Sequence, residues 1–259
     1  VVKDEDTTLY LFGTFHLLDG KQAWFNDGVK TAFDASDELV LEAILPDDPA
    51  DLQPLIVKYA VDPKGATLSS KLKPEVKAKL VGQLDALGFP LPSLHPLEPW
   101  FVSMTLATMS AQKIGLSGDH GAEKALSTAA KAKGMPISEL EGVEYQLALF
   151  DRMPETEQIA SLDQSLDELA EIEAAFRPML EAWSAGNPDG LMDIMDAEAT
   201  PGLYKALFTV RNAKWAEWIG ARLEKPGTVF IAVGAGHLAG RDSVQQLLAA
   251  RGIPSERVE

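Results

Sequence analysis

The sequence predicts an α/β fold: a central mixed or parallel sheet built from two similar β-α-β halves, with helices inserted between them as a layer or cap. Three observations predict it. A run of β-branched and aromatic residues, Thr228-Val-Phe-Ile-Ala-Val233, passes into Gly234-Ala-Gly236-His237 and then into a helix-like segment. Near the other end Thr8-Leu-Tyr-Leu-Phe12 passes into Gly13-Thr-Phe-His16 in the same way, so a strand, a Gly-x-x-His turn and a helix occur twice. The long stretch between them is mostly helical in period and broken at prolines. Parallel strands can be neighbours however far apart they lie in sequence, and side chains at their C-terminal ends converge where open α/β sheets bind ligands. The two histidines are therefore expected to meet.

The first half covers about 8–45. After a polar leader, Val1–Thr7, and the first strand, residues 21–35 read as a helix with apolar positions at Ala23, Trp24, Val29, Ala32 and Phe33. The run Glu38-Leu-Val-Leu-Glu-Ala-Ile-Leu45 reads as the second strand. Glu42 stands inside it, where a carboxylate is costly to bury unless a positive group or a metal pairs with it. Helical insertions follow over about 50–133 and 155–223. In the first, amphipathic helices are read at Leu52–Tyr59, Pro74–Leu87, Trp100–Lys113 and Ala122–Lys133, with Pro74 at a first helical position. His95 falls in a proline-rich break and reads as a loop residue. His120 follows Gly118-Asp119 at a helix start, with Asp119 or Ser117 as the cap.

Gly134–Glu141 reads as a short third strand with Glu141 at its C-terminal end, followed by a helix over Val143–Asp151. Acidic helices are read over Thr156–Arg177, Met179–Ala185 and Gly190–Ala197, with solvated charged faces. Tyr204–Leu223 reads as one long helix. Its Arg211 lies one turn before Trp215 on the same apolar face, and an arginine there needs an anionic partner. The second half covers about 226–259: the strand, the Gly-x-x-His turn, a helix at about Arg241–Arg251 and a final strand over Ser255–Glu259. The whole chain, 1–259, is read as one domain.

Composition narrows the function. At 259 residues with 46% hydrophobic and 24% charged positions the chain describes an ordinary globule. A formal charge of −16 argues against nucleic acid or an anionic surface as a partner, because both demand a basic footprint. No apolar run approaches the roughly 18 to 20 residues of a membrane span. The absence of cysteine removes thiolate ligands, disulfides and cysteine nucleophiles. The chain starts at Val1 and not at Met, so a removed N-terminal segment is expected, and a cleaved secretory signal is one candidate.

Imidazole and carboxylate are the usual ligands of divalent metals at hydrolytic centres, so His16, His237 and Glu42 form a candidate metal set. Arg211 is the candidate cation for a developing oxyanion, and Glu141 a candidate general base or further ligand. Two readings compete. Gly234-x-Gly236-x-x-Ala239, with Glu256 about 20 residues on, satisfies the dinucleotide fingerprint of an oxidoreductase. Alternatively each histidine satisfies only its own turn, leaving a binding protein without chemistry.

The motifs themselves resemble a known family. Tyr10-Leu-Phe-Gly-Thr-Phe-His16, Val40-Leu-Glu42, Leu140-Glu141 with Gln146 after it, Arg211-Asn212-x-x-Trp215 and Phe230-x-Ala-Val-Gly-Ala-Gly-His-Leu-Ala-Gly240 together look like the TraB/GumN family. That group includes the Tiki metalloproteases and is more distantly similar to the erythromycin esterase and ChaN-like proteins. The resemblance implies an α/β fold with a repeated core, histidines of both Gly-x-x-His motifs on a divalent metal, a motif glutamate and a site arginine. These fall on His16, His237, Glu42 and Arg211, with Glu141 and Asn212 as further motif positions and Gly118-Asp119 as a recurring one. It implies a peptidase that uses Mn, Co or Zn on a peptide or protein substrate. A periplasmic or secreted location is expected from the secretion signals common in bacterial relatives.

Overall fold

Continuous β-branched and aromatic runs form the two long strands of the sheet, and amphipathic helices cover its two faces. The computed structural model describes residues 1–169, 172–198 and 201–258. In chain order the elements begin with β1 (Val2–Lys3), β2 (Thr7–Thr14), α1 (Asp27–Asp34) and β3 (Glu38–Leu41). Helices α2 (Gln53–Tyr59), α3 (Leu68–Lys71), α4 (Pro74–Leu87), α5 (Pro99–Lys113) and α6 (Ala122–Lys133) follow, then β4 (Ile137–Glu139) and α7 (Val143–Asp151). The remainder is α8 (Glu155–Leu169), α9 (Ile172–Ser184), α10 (Pro188–Glu198), α11 (Pro201–Tyr204), α12 (Val210–Arg222), β5 (Gly227–Gly234) and α13 (Val244–Ala249).

The strands make one mixed sheet in the order β1-β2-β5-β3-β4, parallel except for the antiparallel edge strand β1. The α/β class and mixed sheet read from the sequence are what the chain adopts. Strands β2 and β5 lie side by side over their full length, from Thr7 opposite Gly227 to Thr14 opposite Gly234. Side chains alternate across a strand, so each face of the sheet is covered separately. Leu9, Val40, Val229, Ile231 and Val233 pack on one face with Trp215 and Ile219 of α12 and Leu248 of α13. Phe33, Leu39, Leu126 and Phe230 pack on the other, with α1 and α6. Helices α3, α4, α5 and α8 bury a separate core around Leu80, Leu106 and Leu162. No helix among the described residues is long and apolar enough to cross a membrane.

Several boundaries differ from the sequence reading, each for a local reason. Helix α1 starts only at Asp27. Trp24 instead stacks on Phe12 and Phe25, and Phe25 meets Phe33 edge to face, which uses the apolar spacing without a helix. The polar leader supplies β1. Strand β3 ends at Leu41, so Glu42 stands one residue past its end and not within it. Helix α9 runs through Pro178 at the cost of one backbone bond, with Phe176 and Trp183 packing on Phe15 to either side of the proline. The predicted helix over Thr156–Arg177 is divided between α8 and α9, and its residues 170 and 171 lie outside the described ones.

The largest difference is at the C-terminus. Residues 253–258 form no strand, and Glu256 N–H donates to the Val1 carbonyl at 2.8 Å. Residue 259, the end of the strand expected there, lies outside the described residues. The second half is thus a strand and a short helix with no described closing strand, and the structure does not reproduce two equivalent β-α-β halves.

Candidate functional site

The site begins with the register of the parallel strands. With Thr14 opposite Gly234, and Leu41 opposite both Ala232 and Glu139, four strand ends finish within two residues of one another. The ladder continues one step beyond β3 and β4: Leu140 N–H donates to Leu41 and Glu141 N–H to Glu42, each at 2.9 Å. Glu42 and Glu141 are thereby brought together. Past β5 the chain turns through a single 3₁₀ turn, Ala235–Leu238, which carries His237. At Gly234 the missing side chain matters. A Cβ there would lie 3.1 Å from Glu42 Oε1, 3.5 Å from His16 Nε2 and 3.5 Å from His237 Cδ2. Those last two distances bring the His16 and His237 rings within about 7 Å of each other, with a Glu42 oxygen beside the same point.

His237 is buried, between Trp215 and Phe208, with ring centroids at 4.3 and 5.0 Å. Its Nδ1 meets Asn212 Oδ1 at 2.5 Å, and Asn212 Nδ2 donates to the Asp242 carbonyl at 2.8 Å. An amide oxygen can only accept, so Nδ1 carries the proton and Nε2 keeps its lone pair. That lone pair faces Arg211 Nη1 at 3.1 Å and Glu42 Oε1 at 3.5 Å. Burial pushes the His237 pKa down to about 3, so the ring is neutral.

Arg211 ties the acidic residues together. Its Nε donates to Glu141 Oε1 at 2.6 Å, its Nη2 lies 2.5 Å from an oxygen of both Glu42 and Glu141, and its Nη1 donates to the Leu207 carbonyl at 3.1 Å. Leu207 belongs to a π-helical turn, Lys205–Thr209, that interrupts the long helix predicted over Tyr204–Leu223. Such turns recur at functional sites. Gln146 of α7 donates to Glu141 at 3.0 Å and Glu42 at 3.3 Å, and Gly234 N–H to Glu42 at 2.6 Å. Burial alone raises the Glu42 pKa, but His237, Arg211, His16 and the Gly234 amide outweigh it and hold the carboxyl at about 2.

His16 lies in a different setting. Its side chain is 66% exposed, and its Nδ1 meets Glu123 Oε1 at 2.6 Å. Glu123 is in the first turn of α6, whose start is docked on the loop: Ala122 N–H donates to Phe15 O at 3.1 Å, and a Cβ on Gly121 would come within 2.2 Å of His16 O. Glu123 carries no motif of its own in the sequence. The only signal pointing to it is the Gly118-Asp-His-Gly121 turn just ahead. His120 lies in that turn with its ring against Gly20, and Ser117 accepts from Asp119 N–H as the cap. His95 pairs with Ser69 at 3.1 Å, far along the chain from the other histidines.

Imidazole and carboxylate are donor types that divalent metals take, and two imidazoles and a carboxylate lie around Gly234. Both histidines have Nδ1 engaged by an outer partner; His16 Nε2 lies toward Gly234, and His237 Nε2 faces Arg211 and Glu42. The three donors do not close to within 4.8 Å of one another, and Arg211 Nη1 occupies the His237 lone pair. Among the described residues one closer acidic set exists: Asp62, Glu98 and Glu155 lie near enough to hold a metal ion. The Lys71 ammonium stands among them, 2.5, 3.0 and 2.9 Å from the three carboxylates, and supplies the cation there. The dinucleotide fingerprint lacks its context, because Gly234-x-Gly236 enters a 3₁₀ turn instead of a helix and Glu256 pairs with Lys3.

Comparison with known proteins identifies relatives of the whole chain. The model of the TraB/PrgY/gumN family matches residues 1–257. A protein of Escherichia coli K12 named uncharacterized protein YbaP is 28% identical over 240 residues, covering 92% of this chain and 87% of the relative. The protein of the same name from Shigella flexneri matches to the same extent. No solved structure gives a significant match.

Proposed function

The chain belongs to the TraB/PrgY/gumN family, and from that premise we propose that it is a divalent-metal-dependent hydrolase cleaving an amide bond of a peptide or protein. The observation that carries the reading is the convergence of His16 Nε2, His237 and Glu42 Oε1 on Gly234. His16, His237 and Glu42 would hold Mn, Co or Zn. A metal so held lowers the pKa of bound water from about 15.7 toward about 7 and supplies hydroxide at neutral pH.

The chain's own groups do the rest. Asn212 keeps the His237 lone pair turned inward, and Glu42 stays ionised. Arg211 Nη1, beside His237, is placed to stabilise negative charge on a substrate carbonyl oxygen once it leaves the imidazole. Glu141 Oε1 is occupied by Arg211 and Gln146, which orients the guanidinium; a general-base role would fall to its other oxygen. Metal analysis of protein purified without chelator tests the reading against a His16→Ala/His237→Ala double variant. Equal metal contents sink it.

One observation favours a second reading. Arg211 already satisfies Glu42, Glu141 and His237 without an ion, as it would in a non-catalytic metal- or ligand-binding protein. Metal uptake without turnover of a peptide library would select that case. We further propose a periplasmic or secreted location, tested by fractionation of cells expressing the natural gene.

A further inference from the structure

A glutamate beside a two-thirds exposed histidine is ordinarily a weak surface pair. The surroundings of His16 are built more closely than that. Leu18 N–H donates to Ser117 O at 3.2 Å and Ser117 N–H to Leu18 O at 2.8 Å, so main chain is clamped on the far side of His16. On the near side Ala122 N–H holds Phe15 O, and Gly121 admits the His16 carbonyl where any side chain would collide. The loop is thus fixed to the start of α6, and Glu123, with a side chain only 26% exposed, falls against Nδ1.

We infer that Glu123 is the positioning residue of His16: its carboxylate accepts the Nδ1 proton and so turns Nε2 toward Gly234, Glu42 and His237. The inference rests on the metal-site reading and deepens it by naming the partner of the exposed ligand. An imidazole on a loop has two usable nitrogens and a free ring rotation. An acceptor at Nδ1 removes both choices, as Asn212 does for His237.

The test uses the full chain in two measurements. In metal-free protein with ¹⁵N-labelled histidine, His16 should show a downfield, exchange-protected Nδ1 proton. Glu123→Leu should abolish it, and Glu123→Gln, which keeps an acceptor without charge, should retain it in weakened form. Zinc affinity by competition with a chelator should fall about 10- to 100-fold in Glu123→Leu, the usual effect of losing such a partner, and less in Glu123→Gln. Gly121→Ala, which moves the loop and leaves the carboxylate intact, should also weaken zinc binding. A Glu123→Leu protein that folds with unchanged circular dichroism and keeps either the Nδ1 resonance or wild-type zinc affinity overturns the inference. If the wild type takes up no zinc, the metal reading fails separately, and the resonance still decides whether Glu123 holds the ring.

Discussion

At Gly13–His16 the imidazole side chain is 66% exposed and its Nδ1 meets a carboxylate, whereas at Gly234–His237 it is 6% exposed and its Nδ1 meets a neutral amide. The same four-residue pattern ends both neighbouring strands, yet the outer partner differs in charge. Burial explains the difference. The inner turn already holds Glu42 and Glu141 against the single charge of Arg211, and a third carboxylate there would bury another unpaired anion. Asn212 orients His237 without adding charge. The outer turn is solvated and tolerates an ion pair, so Glu123 raises the His16 pKa to about 9. Equivalent letters in a motif thus say little about the charge that must surround them.

The largest expected effect lies at the inner turn. Arg211→Met leaves two buried carboxylates facing each other and should cost about 3–5 kcal/mol in urea unfolding, whereas Glu123→Gln at the outer turn should cost no more than about 1 kcal/mol. Similar losses for the two variants would mean that charge does not distinguish the turns. Next, His237→Ala removes a packed ring and orphans Asn212, for an expected loss of about 2–4 kcal/mol. His16→Ala should stay within about 0.5 kcal/mol in the presence of chelator, as surface changes do. Both should abolish metal uptake, so the two histidines would be alike in binding and unlike in stability.

Acid should act on the inner turn. His237 has a folded pKa of about 3 against an ordinary 6.5, so the unfolded chain binds its proton first, and stability should fall as pH drops from about 6.5 toward 3. Glu42, at about 2 against 4.5, adds loss only below about 4.5. Asp62, held at about 2 by Lys71 and the backbone N–H groups of Ala66 and Lys64, adds loss lower still. The decline between pH 6.5 and 4.5 therefore belongs to the imidazole. Thermal unfolding against pH should show it, and His237→Gln should flatten that segment alone.

Much of this was legible in the sequence where one residue decides a local structure. Pro74 and Gly134 set helix ends that spacing alone could place, because one fits a first turn and the other a left-handed cap with φ of 67°. Arg211 stood out because an arginine on an apolar helix face must find anions, and it found two. The continuous β-branched runs gave β2 and β5, though not β1, whose two residues lie in a polar leader. Glu123 was not legible. It is 107 residues from His16 and by itself is an ordinary first-turn glutamate, so only the docking of Gly121 on the loop reveals its partner. The expected closing strand does not form over residues 255–258, where Glu256 meets the Val1 backbone in a contact between the two ends that no local pattern encodes.

The smallest expected effect separates the turns by the sign of their response to alkali. His16 has a folded pKa above its unfolded value, because Glu123 favours the imidazolium. Its contribution is therefore fully present below about pH 6.5 and lost as pH rises through about 9, opposite in direction to that of His237. Solvent screens an exposed pair, so the alkaline decline should be slight beside the acid one. Glu123→Gln should erase it by removing the charge that raises the pKa, while leaving the decline between pH 6.5 and 4.5 untouched. Below that window it removes only the part that Glu123 itself contributes. Salt should reduce the alkaline limb more than the acid limb, since an exposed pair is screened and a buried one is not. An alkaline decline as steep as the acid one, or one that survives Glu123→Gln, would mean that the two imidazoles are not held in the opposite ways their surroundings require.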